Sequence, residues 1–82
     1  MSDDTSEKEL HNLETSLWVG KRGIDPIVDE LATQLEHHDL VKVKFLRAAR
    51  ASQTTEELAV ELADMAGAEV VRTRGHTAVF EG

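Results

Sequence analysis

Between Ser16 and Leu46 the hydrophobic period changes twice, and that alternation limits the available folds more than any other feature of the chain. "SLWVG" is short, apolar and rich in strand formers, and it stops at Gly20, so residues 16–19 read as a buried strand. Ile27, Val28, Leu31, Ala32 and Leu35 then recur at helical spacing and make one apolar stripe. Pro26 is preorganised for the first helical position and Asp25 stands where an N-cap belongs, which predicts a helix from Asp25 to about His38. In "LVKVKFL", residues 40–46, the period becomes two: Val41, Val43 and Phe45 point one way, Lys42 and Lys44 the other. That is a half-covered strand with a basic outer face. Strands joined through a helix in this way run parallel.

The flanks add further elements. Ser6 with Glu9 has the form of a capping box, and Leu10 and Leu13 share one side of a short N-terminal helix. "RAARASQ" reads as a polar connection, after which Thr54 and Glu57 form a second capping box. The helix that follows turns Leu58, Leu62, Met65 and Ala66 inward and ends near Gly67. "EVVRTRGHTAVFEG" reads as a hairpin turning near Gly75, with Val71 and Thr73 alternating against Arg72 and Arg74, and Val79 and Phe80 on the return strand. The expected fold is α/β: a single compact domain in the order α-β-α-β-α-β-β, with a four-stranded mixed sheet and its second and third helices on one face. An acidic segment over residues 1–9, a candidate flexible arm, precedes the domain proper at 10–82.

Size and composition narrow the function. Eighty-two residues with 40% hydrophobic content suffice for one modest core. With no cysteine, neither a disulfide framework nor a zinc-thiolate site is available. "MSDDTSEKEL" is acidic where a signal peptide would be basic and then apolar, and no run approaches the roughly 20 apolar residues of a membrane span, so a soluble, cytoplasmic protein is expected. The formal charge of −7 argues against nucleic acid if charge is spread evenly. It is not: acids dominate the N-terminus and the helices, while the bases gather as Lys21/Arg22, Lys42/Lys44, Arg47/Arg50 and Arg72/Arg74. Four lysines against sixteen acids also fits a chain adapted to a salty interior.

The loop Gly20-Lys21-Arg22-Gly23 carries the most specific chemistry. Glycine lets backbone approach a ligand, the first N–H groups of a helix are unpaired, and the aligned peptide dipoles favour an anion there. "GKRGID" lacks the Gly-Lys-Ser/Thr ending of a nucleotide P-loop, and a Gly-x-x-Gly loop that clamps nucleic-acid backbone is the nearer analogue. Taken alone, such a loop is more often only a strand-to-helix turn. Lys42 and Lys44 are equally readable as a solvated strand face. Trp18, in the most apolar run, is read as core or as lying under the N-terminal helix rather than as a stacking platform. His37 and His38 point about a hundred degrees apart on a helix and make no two-ligand face; neither a metal nor a cofactor is expected, and no side-chain spacing singles out a catalytic group.

"VGKRGIDPIVDELATQLEHHDLVKVKFL", followed by "TTEELAVELADMAGAEVVRTRGHTAVF", closely resembles the CRM domain family of RNA-binding modules, which includes the YhbY-like bacterial proteins linked to ribosome assembly. The resemblance spans residues 10 to 81, and its most specific pieces are the glycine-bracketed loop and "LEHHDLVKVK". It implies a non-enzymatic RNA-binding domain similar in topology to the C-terminal domain of bacterial translation initiation factor three. Carried over by position, Gly20, Lys21, Arg22 and Gly23 form the backbone-contacting loop and Lys42 and Lys44 are the matching strand lysines; Arg47, Arg50, Arg72 and Arg74 would extend the patch. The expected partner is ribosomal or other structured RNA, including a large-subunit precursor, with neither a membrane nor a small-molecule substrate. The other class open to the sequence is a protein-interaction module whose acidic helices engage a basic partner such as a ribosomal protein.

Overall fold

The computed structural model describes residues 13–82; the N-terminal helix expected from Ser6, and the boundary at residue 9, lie outside the described residues. Four strands, β1 (Thr15–Val19), β2 (Leu40–Phe45), β3 (Glu69–Arg74) and β4 (Thr77–Glu81), form one sheet in the order β1-β2-β4-β3. β1 runs parallel to β2, and β4 runs antiparallel to both of its neighbours. The mixed sheet is therefore as expected, but the two strands joined by the second crossover are not neighbours. β4 lies between β2 and β3, and composition explains the choice. "TAVFE" has no charge in its middle and buries Ala78, Val79 and Phe80, whereas the charged "EVVRTR" is suited to an edge.

Helix α1 (Asp25–His37) connects β1 to β2, and helix α2 (Thr55–Ala66) leads from β2 to β3. Both pack on one face of the sheet. Leu17, Val19, Val41, Val43, Phe45, Ala78 and Phe80 from the strands meet Leu31, Leu58, Ala59, Leu62 and Ala63 from the helices, and Ile27, Val28 and Leu35 close the rim. The register agrees with this grouping, since Leu17 lies beside Val43, Val43 beside Ala78, and Val41 beside Phe80.

Local chemistry sets the ends of the elements. At α2 the Thr54 hydroxyl accepts from the Glu57 amide at 3.1 Å while the Glu57 carboxylate accepts from the Thr54 amide at 3.0 Å, the reciprocal capping box expected. Gly67 ends that helix in the left-handed region. α1 starts differently. Its N-cap is Ile24, without a side-chain cap, and Asp25 is already helical, because Ile24 takes helical angles directly after the turn and the helix begins one residue early. Asp25 thus acts as an acid in the first turn rather than as the cap.

Three placements differ from expectation. Met65 is half-exposed, and Ala59 and Ala63 take the inner side of α2 with Leu58 and Leu62. In β3 the register jumps between Val70 and Arg72, so Val70 packs on the core and Val71 bulges outward. Trp18 is 52% exposed and takes no part in the core. The polar connection after β2 contains a turn of 3-10 helix, Arg47–Arg50, that the sequence does not announce.

Candidate nucleic-acid interface

A parallel pair of strands ends at the same edge of its sheet, and here that edge gathers three loops. Val19 is in register with Phe45, and the Leu46 amide donates to the Val19 carbonyl at 2.8 Å. The Gly20–Gly23 turn leaving β1 therefore lies against the start of the 3-10 turn leaving β2. The β3–β4 hairpin joins them from the other side, because the Phe45 amide donates to the His76 carbonyl at 2.7 Å. Three segments far apart in sequence make one rim: Gly20–Gly23, Leu46–Arg50 and Arg74–Thr77.

Each loop has a physical reason for its shape. The Gly23 amide donates to the Gly20 carbonyl at 2.9 Å, closing a β-turn with Lys21 and Arg22 at its tip, and Gly23 has φ 80°. A side-chain-bearing residue there is strained. Gly20 is different: its φ is not positive, and an added Cβ would meet only Leu46 Cδ1, at an ordinary 3.7 Å. In the 3-10 turn, Arg50 Nε donates to the Phe45 carbonyl at 3.0 Å, fastening the turn to the end of β2. In the hairpin, Gly75 takes φ 58° while His76 keeps a negative φ, which suits the first position of a two-residue turn, and the Thr77 hydroxyl donates to the Arg74 carbonyl at 2.8 Å.

The basic residues fall into two groups. Lys21, Arg22, Lys44 and Arg47 are exposed at or next to this rim, and Arg74 stands at the hairpin end of the same row. On the sheet face opposite the helices, register aligns Trp18, Lys44, Thr77 and Arg74 in one row across all four strands. Lys42, Val79 and Arg72 make the next row inward. Val79 is buried there outside the helix-side cluster, and Lys42 and Arg72 flank it with long aliphatic stems. Lys42 is half-buried and its Nζ donates to the Leu13 carbonyl at 3.2 Å, so part of its donor capacity serves the fold. Arg50 is committed in the same way.

Acids collect elsewhere. Glu69 and Glu81 face each other at the opposite end of the sheet, with Asp39 just before β2. Glu56, Glu57, Glu61 and Asp64 lie along the outer side of α2 around Val60, which is 63% exposed. Asp25 does not follow this division, being in the first turn of α1 directly after the basic loop.

Residues 4–80 match the CRS1/YhbY (CRM) domain model. The chain belongs to the CRM domain family. A curated relative, Probable RNA-binding protein MJ0652 of Methanocaldococcus jannaschii, is 41% identical over 68 residues, which are 83% of this chain. This chain spans about half of that relative, 51% of its length. A solved structure, that of hypothetical protein SAV1595 from Staphylococcus aureus, whose proposed role is RNA binding, superposes with a TM-score of 0.71 at 26% identity, over 92% of this chain and 77% of that one. The CRM fold is thus shared with proteins named for RNA binding rather than for catalysis. Among the described residues, no three His, Asp or Glu side chains are grouped to hold a metal ion, and no helix is long and apolar enough to cross a membrane.

Within this CRM domain the loop and bases expected from the sequence are joined at the rim by two features that the sequence reading does not place there. The 3-10 turn had no signal beyond its composition. Trp18 had one: between the inward Leu17 and Val19, a two-residue period puts it on the opposite face.

Proposed function

We propose that this CRM domain is a non-enzymatic RNA-binding module that acts on ribosomal RNA or a precursor ribosomal particle, holding RNA backbone at the Gly20–Gly23 rim. The observation that carries the reading is the convergence of three separate loops on one edge, which brings Lys21, Arg22, Lys44 and Arg47 together on a chain of net charge −7. Exposed bases on a shallow, open rim suit phosphates, and such contacts position RNA more than they read its sequence. Lys42, Arg50, Arg72 and Arg74 belong to this reading as flanking contacts, with Lys42 and Arg50 also bracing the fold. RNA binding by the relatives, as their names give it, supports the partner class; the ribosomal target rests on the family resemblance.

The test is a filter-binding titration on large-subunit ribosomal RNA with the wild-type chain and with Lys21→Glu/Arg22→Glu. Each lost phosphate contact lowers the salt slope by about 0.7 to 0.9, so the double variant is expected to flatten it by roughly 1.5 and to need far more protein for half-saturation. Unchanged affinity removes the loop from the interface.

A second reading is favoured by the outer side of α2, where Val60 stands exposed among Glu56, Glu57, Glu61 and Asp64. An apolar residue ringed by acids is suited to a basic protein segment. Under this reading a basic protein co-purifies after nuclease treatment, and Val60→Lys abolishes that co-purification while RNA binding is unaffected.

A further inference from the structure

A tryptophan left half-exposed on a soluble domain is the informative case, because its ring is large enough to anchor a core. Trp18 lies on the edge strand β1, and it lines one shallow depression together with the Gly20–Gly23 turn, Pro26 and Ile27. Register puts Lys44 beside it on the neighbouring strand. The ring therefore sits between the two positively charged parts of the rim. Of the other exposed large hydrophobic residues among those described, only Leu46 shares this end; Val60 and Met65 are on α2, and Val71 is on the far edge strand. Among the described residues the exposed apolar surface at this end is thus limited to Trp18, Leu46 and the Pro26–Ile27 side of the depression, and cations border it. A lone aromatic face among cations is instead the pattern of a nucleobase platform, in which the base stacks while the cations hold the adjoining phosphates.

We propose that Trp18 is a base-stacking residue, so that the RNA held by the Gly20–Gly23 rim presents an unpaired nucleotide there. This deepens the RNA-binding reading and rests on it. Inside an A-form helix each base is already stacked on its neighbours, so a continuous duplex offers Trp18 nothing to stack on. A bulge, a loop or a strand end does. The rim thus selects RNA at a junction between paired and unpaired segments: the turn takes backbone of either kind, and Trp18 adds affinity only when a base is free.

The chain contains one tryptophan and no tyrosine, so emission excited in the tryptophan band reports on residue 18 alone. Two blunt-ended RNA duplexes serve as probes, fully paired and identical except for a single-nucleotide bulge in one. Binding is followed by anisotropy of a labelled duplex, and Trp18 emission with unlabelled RNA. The bulged duplex is expected to bind more tightly and to quench Trp18, while the uninterrupted one binds without quenching. Trp18→Ala is expected to weaken the bulged duplex roughly 5- to 150-fold, the usual range for losing one base–aromatic stack, and to leave the uninterrupted one unchanged. Trp18→Phe keeps most of the preference, which separates stacking from a general loss of structure. Equal affinity of wild type and Trp18→Ala for the bulged duplex, or unchanged emission at saturation, overturns the proposal. Failure of the wild type to bind either duplex also overturns it, and retention of large-subunit ribosomal RNA in the same buffer then shows whether the RNA-binding reading survives.

Discussion

The two ends of this sheet are built from the same four strands, yet they carry opposite charge for different structural reasons. At the rim, positive residues are held on backbone turns fixed by Gly23, by Gly75 and by the Arg50 contact to Phe45. At the far end, Glu69 and Glu81 are cross-strand partners, a like-charged pair that contributes nothing to holding β3 against β4. The contrast teaches that net charge is a poor guide to partners in a chain of this size. β2 is six residues long, roughly 20 Å at the usual strand rise, and the screening length at physiological ionic strength is about 8 Å. The field at the rim is set by the rim, and the distant acids are screened from it.

The sharpest way to break the comparison is at the glycines. Gly23→Ala forces a side chain into φ 80° and is expected to cost about 1–2 kcal/mol, which for a domain of this size lowers the melting temperature by roughly 4–8 °C per kcal/mol. Gly20→Ala has no such strain and an ordinary contact with Leu46, so thermal unfolding should be unchanged. If Gly20→Ala nonetheless weakens RNA binding, the backbone at Gly20 is in close contact with the ligand. If both variants unfold alike, the division between a glycine kept for the turn and one kept for the ligand is wrong.

These distinctions show how far the sequence could be read. Both described α-helices and the strands were legible, as Leu31 and Leu35, Leu58 and Leu62, and Val41, Val43 and Phe45 repeat at the period of their own element. The strand order was not: the crossover makes β2 and β3 expected neighbours, whereas β4, with its uncharged middle, lies between them. The rim as a surface was not legible. Its assembly depends on the hydrogen bonds from Leu46 to Val19 and from Phe45 to His76, pairings between residues far apart whose types give no hint of them. Trp18 departs from a core position because Leu17 and Val19 already fill that face, and Val71 departs from simple alternation because Val70 takes the place against the core. Asp25 is a good capping residue by type, but the start of a helix is decided by backbone, and Ile24 adopts helical angles first.

A smaller effect is expected at Asp25, which sharpens the comparison by testing an acid that stands directly after the basic loop. Its carboxylate complements the dipole of α1, a contribution of about 0.3–1 kcal/mol at a helix N-terminus, and it also repels any phosphate brought to the same place. Asp25→Asn should therefore lower thermal stability slightly and tighten RNA binding by roughly two- to fivefold. Both changes should shrink as salt is raised. Loss of affinity instead would mean that Asp25 is needed to present the turn.

The smallest effect on binding belongs to the far end. Glu69→Lys replaces a like-charged cross-strand pair with an attractive one, so unfolding should shift slightly to higher temperature. RNA affinity at 0.15 M salt should change by less than about twofold, because the site is more than two screening lengths from the rim. At 0.01 M salt the screening length grows to about 30 Å and the same substitution should tighten binding measurably. That pair of results would separate a distant field from a direct contact. A large gain already present at 0.15 M would place RNA along the whole length of the sheet, and the rim could then no longer be treated as a site independent of the acidic end.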